Sequence, residues 1–161
     1  MKRAVLTLTV LISAGAVGLQ AQGRDQFAGT WKLNTDKSEM GGGRGGGGQR
    51  GRGMGGGMMA ELVVTASASE LSVEAGERTT TYKLDGSEFT IPGPRGDARA
   101  KARVEGSQIL IESTSTFEGP NGAMTITSKE TWEIQDGSLV ITTVYTTPRG
   151  DRTTKRVYDK Q

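Results

Sequence analysis

Phe27-Ala28-Gly29-Thr30-Trp31-Lys32-Leu33 is the first stretch of this chain able to enter a folded core, and its reading decides the fold. Trp31 is one of only two tryptophans. A large ring in a short alternating run predicts a first strand whose indole plugs the end of a barrel. From Met59 onward the chain repeats short alternating runs separated by turn formers, which is the pattern of an antiparallel meander.

Leu62, Val64 and Ala66 make one face of a run, and Leu71, Val73 and Ala75 make the next after a turn at Ser67 to Glu70. Gly76-Glu77 leads into a run with Tyr82 and Leu84 on one face. Asp85-Gly86 then predicts a two-residue hairpin. Phe89 and Ile91 form a short strand ended by Pro92-Gly93-Pro94. Ala98 to Glu105 alternates small apolar with charged residues, which predicts either a tight inner face or space left inside a barrel. Gly106-Ser107, Asn121-Gly122, Asp136-Gly137 and Pro148 to Asp151 turn the chain between the remaining runs. The expected fold is all-β, an antiparallel up-and-down meander of about nine or ten strands forming a small closed or nearly closed barrel. Leu33 to Glu39 is rich in turn formers and predicts a turn or one short helical turn after the first strand.

Lys2 and Arg3 precede an uncharged apolar run from Ala4 to Leu19, too short to span a bilayer comfortably and followed by small residues. This predicts a secretory signal peptide over 1–21, with cleavage after Gly18 as a second register and a retained anchor helix as the alternative. Residues 22–161 then form a single barrel domain, secreted or periplasmic, with no stable membrane insertion. The leader takes two of the twenty basic residues and none of the eighteen acidic ones, so the remaining chain is balanced in charge. Balanced charge gives no global attraction to nucleic acid. The chain has no cysteine and no histidine. It therefore carries no disulfide and none of the usual zinc, copper or haem ligands, and it cannot build a Ser-His or Cys-His nucleophile.

In residues 41–57, twelve of seventeen positions are glycine and four of the others are Arg44, Gln49, Arg50 and Arg52. Such a segment buries too little surface to offset its conformational entropy and predicts a disordered loop spanning roughly 20 to 25 Å. RNA binding by its arginines is disfavoured by the leader and by the lack of aromatics between them. Pro-Arg-Gly-Asp occurs at Pro94 to Asp97 and Pro148 to Asp151. It reads as turn chemistry in preference to an adhesion motif.

The candidate site lies on inward faces. Met124, Ile126, Ser128, Glu130, Trp132 and Ile134 share one face of a strand. A carboxylate there must be hydrated, paired or bound to a ligand, unless the strand is an edge or bulged so that Glu130 meets water. Thr154, Arg156 and Tyr158 share a face of the last strand. An arginine fork beside a phenol suits a carboxylate in an apolar cavity.

Two motifs carry a resemblance. Gly29-x-Trp31 resembles the opening of the calycins, the lipocalins and still more the intracellular fatty-acid-binding proteins. Thr154-Lys155-Arg156-Val157-Tyr158-Asp159-Lys160 is similar to the Arg-x-Tyr-acid-Lys ending of the fatty-acid-binding group. The resemblance implies barrel closure by Gly29 and Trp31, and a ligand carboxylate held by Arg156 and Tyr158. It also offers another role for Arg156, packing across Trp31. Two departures stand out: the glycine tract replaces a helical lid, and Trp132 falls where a second arginine is expected.

The sequence thus predicts a lipocalin-like, non-catalytic protein binding a small hydrophobic or amphipathic, fatty-acid-like ligand through Arg156, Tyr158, Glu130 and Trp132. No metal, cofactor or nucleic-acid partner is expected. The alternative is a structural or interaction module of the cell envelope whose barrel is filled by its own side chains.

Overall fold

A computed structural model describes residues 23–39, 60–93, 96–119, 122–148 and 150–161. The leader over 1–21 and the glycine tract over 41–57 lie outside the described residues. So do parts of both Pro-Arg-Gly-Asp repeats and Asn121 of the Asn121-Gly122 turn.

The alternating runs become ten strands among the described residues: β1 Gly29–Glu39, β2 Glu61–Ala66, β3 Glu70–Ala75, β4 Arg78–Lys83, β5 Asp85–Ile91, β6 Ala98–Glu105, β7 Gln108–Gly119, β8 Gly122–Gln135, β9 Ser138–Thr147 and β10 Gly150–Lys160. They form one sheet in the order β4-β3-β2-β1-β10-β9-β8-β7-β6-β5. Consecutive strands pair antiparallel except β4 with β5, and β1 also pairs with β10, with Trp31 opposite Lys160. The sheet curls until only its edges, β4 and β5, stay unladdered. Across that gap the Tyr82 and Phe89 rings meet edge to face, 5.9 Å apart.

Asp85-Gly86 thus turns the chain without forming a hairpin ladder. Asp85 Oδ1 accepts from the Ser87 amide at 2.8 Å and Gly86 takes a φ of +79°, so the local turn chemistry is present. The ladder is absent because Leu84 is buried and its amide already donates to the Ser69 carbonyl at 2.8 Å. A chain end committed to the barrel floor cannot also pair with the next strand.

Leu33 to Glu39 departs from expectation as well, since β1 runs through it. Asn34 Oδ1 accepts from the amides of Asp36 and Lys37, the Asx-turn chemistry that the composition implies. That turn is absorbed as a register shift between Asn34 and Glu39, and the Ser38 hydroxyl accepts from the Val157 amide at 2.9 Å to keep β1 joined to β10. The last strand begins inside the turn expected at Pro148 to Asp151, at Gly150 paired with Thr147.

Phe27, Trp31, Leu71, Ile109, Leu139 and Tyr158 are fully buried and fill the half of the barrel near the start of β1. A helical turn at 23–25 precedes Phe27, whose carbonyl accepts from Trp31 Nε1 at 2.8 Å. The polar edge of the indole is thereby satisfied inside the core. Ala100 and Ala102 turn inward from β6, as the strict alternation of that strand requires. Only methyl groups face the interior at those two positions.

Candidate functional site

Three neighbouring strands bring the interior polar groups together. In the β8–β9–β10 ladders Glu130 stands opposite Thr143, while Trp132, Ile141 and Arg156 form the adjacent row. Arg156 reaches diagonally across β9. Its Nη2 donates to Thr143 Oγ1 at 3.1 Å and lies 3.7 Å from Glu130 Oε1. Glu130 Oε2 accepts from Trp132 Nε1 at 3.0 Å, two residues along the same face. The Arg156 side chain is 11% exposed and that of Glu130 22%. A pair this deep owes its stability to these additional hydrogen bonds, since desolvation otherwise offsets much of the charge attraction.

Glu130 is not at an edge, because β8 is laddered on both sides, with Ile111 and Thr143 as its neighbours. It meets Arg156 inside the barrel instead.

All three tyrosines of the chain feel this pair. Burial pushes the Tyr82 phenol well above its usual range, Glu130 raises it further and Arg156 opposes the shift. Tyr145 is raised by burial first and by Glu130 second. Burial also raises Tyr158, against the lowering effect of the nearby Arg156. Each phenol therefore stays protonated at neutral pH and keeps its hydroxyl as a donor. The Tyr158 hydroxyl is buried, with the Arg156 guanidinium as its polar neighbour.

Beside the pair lies a cavity of about 310 Å³. Leu62, Val73, Ile91, Ala98 and Ile141 give it apolar walls; Thr80, Tyr82, Ser113, Glu130 and Arg156 give it polar atoms. Trp132 lines it too, its ring 6.3 Å from that of Tyr82. Three of the four residues proposed for ligand contact therefore share the cavity wall. Tyr158 sits apart from that wall, in the core cluster with Trp31 and Leu139.

Trp31 is buried on β1, opposite Lys160 of β10 and Leu62 of β2. The basic residue over its ring is Lys160, with Nζ 5.3 Å from the centroid, while Arg156 points to the cavity. Gly29 has a φ of +136°, and a Cβ there would meet the Lys160 side chain at 3.0 Å. The glycine thus lets the lysine stem lie against the start of β1.

Thr143, Tyr82 and Tyr145 are site members that the motif reading passed over. Their signal was the alternation itself, which places Thr143 and Tyr145 on the face of Ile141. A second, more polar cleft of about 620 Å³ lies at the other end of the barrel, beside Arg24, Asp85 and Arg103. Among the described residues no group of three or more carboxylates is placed to hold a metal ion.

No protein-family model and no curated protein matches the sequence. Solved structures do match in fold. The zebrafish ileal bile acid-binding protein complexed with cholic acid superposes with a TM-score of 0.53 at 15% identity, over 84% of this chain and 99% of that one. A secretory abundant heat soluble protein from Ramazzottius varieornatus gives 0.52 at 15% identity, over 84% and 96%. Fatty-acid-binding protein 1 of Echinococcus granulosus gives 0.50 at 18% identity, over 84% and 98%. With ten antiparallel strands in one nearly closed barrel, the chain has the fold of the calycin barrels, to which its first-strand and last-strand motifs are similar.

Proposed function

We propose that this chain is a non-catalytic binding protein that holds a small hydrophobic or amphipathic molecule inside its barrel and is exported by its 1–21 leader. The observation that carries the reading is the cavity of about 310 Å³ with apolar walls and the Arg156–Glu130 pair in its lining. A native core packs to a density that leaves few voids larger than a water, so a space of this size is unusual unless something occupies it. The likeness to barrels named for binding bile acid and fatty acid supports the same reading. With neither cysteine nor histidine in the chain, the interior groups are suited to holding a molecule more than to transforming it.

The test is a titration of the purified protein with a polarity-sensitive lipophilic dye, comparing wild type with Ala98→Leu. Ala98 lines the cavity, and a larger side chain there takes up the space a ligand needs. Saturable binding by the wild type, weakened in a variant of unchanged thermal stability, supports interior binding. Absence of saturable binding by a folded wild type favours an envelope module with a filled barrel, a reading that draws its support from Arg156 and Glu130 pairing with each other.

A further inference from the structure

The arginine that the last-strand motif would assign to a ligand's carboxylate already faces a carboxylate from its own chain. Glu130 is held there by the Trp132 indole, and the guanidinium is anchored on Thr143. Together the two side chains carry no net charge. A fatty acid anion entering beside them would add an uncompensated negative charge to a partly desolvated site, and displacing Glu130 from Arg156 would leave that glutamate uncompensated instead. A cationic head would meet Arg156. An uncharged head bears neither cost, and it finds acceptors on Glu130 and donors on Arg156 and the protonated Tyr82 phenol.

We infer that the cavity selects a compact uncharged amphiphile, with a head that both donates and accepts hydrogen bonds, over a fatty acid anion of equal length. The inference rests on the interior-binding reading and names its ligand class. Size follows from volume: about 310 Å³ lies at the small end of the roughly 300 to 1,000 Å³ of ligand pockets and suits a medium-length chain.

Calorimetric titration of the protein with 1-decanol and with decanoate tests it, at about pH 7, far above the ~4.3 of an unperturbed carboxyl. The wild type is expected to bind the alcohol at least about tenfold more tightly, a difference of about 1.4 kcal/mol. In Glu130→Gln the amide oxygen still accepts from Trp132 while the negative charge is gone. Decanoate affinity should then rise by about tenfold or more relative to that of decanol, so that the wild-type preference for the alcohol is lost. Tighter binding of decanoate than of decanol by the wild type overturns the inference and leaves interior binding intact. The wild-type ratio decides this even where the variant fails to fold. Binding of neither ligand by folded protein overturns the interior-binding reading and the inference with it.

Discussion

Arg156 on β10 and Glu130 on β8 meet across the intervening strand, Nη2 to Oε1 at 3.7 Å, with Thr143 of β9 bonded to the guanidinium between them. The contact is diagonal, one row off the direct cross-strand pairing, and only long side chains can make it. It puts an ion pair where the barrel has no apolar filling.

Removing one partner strands the other. Arg156→Met should destabilise the fold by about 3 kcal/mol, because Glu130 then sits partly buried without its counter-ion. In a Glu130→Gln background the same substitution should cost clearly less. Chemical denaturation of the two single variants and the double variant measures the coupling, and strictly additive losses would show that the pair contributes nothing of its own.

Trp31 is expected to act as the plug of the barrel end. It is almost fully buried and hydrogen-bonded to Phe27. Trp31→Ala is expected to cost about 3 to 5 kcal/mol. Lys160→Ala, which removes an exposed cation from the ring, should cost under about 1 kcal/mol. Gly29→Ala should fall between them, from its positive φ and the close approach of Lys160. Equal losses for Trp31→Ala and Lys160→Ala would mean that the indole is not the plug.

Alkaline titration reads the interior. The neutral phenols are favoured by the fold, so their contribution to stability is fully present below the ordinary value of ~10 and is lost as pH rises through the higher folded values. Phenolate absorbance should lag behind that of free tyrosine and rise together with unfolding. Asp159 has the opposite sign: hydrogen bonds from Asn34 and Ser138 hold its carboxyl below the usual range, so its contribution is present above ~3.9 and lost as pH falls through the folded value. In Asp159→Asn that acid-side loss should disappear. An unchanged acid limb would show that the surface pairing is immaterial.

Export is read by mass. The intact exported protein should begin at Gln22 or, in the second cleavage register, at Leu19. A mature form retaining Met1 would mean that the leader is not removed.

Alternation, turn residues and the two end motifs determined the all-β meander, and Ala98 to Glu105 matched its strand end to end because small and charged residues alternate there without a break. Faces were legible too: Glu130, Trp132, Arg156 and Tyr158 all point inward, as a period of two requires. The period does not say which row of a neighbouring strand a side chain will meet. Arg156 and Lys160 have the same parity on β10, so either could have covered Trp31. The β1–β10 register placed Lys160 opposite Trp31 and left Arg156 to Glu130. Likewise Asp85-Gly86 determined a sharp turn, while the curl of the whole sheet and the commitment of the Leu84 amide to Ser69 decided that no hairpin would form there. Sequence set the direction of each side chain because that is a local property of the backbone; partners belong to the tertiary structure because register and curvature are summed over every strand between them.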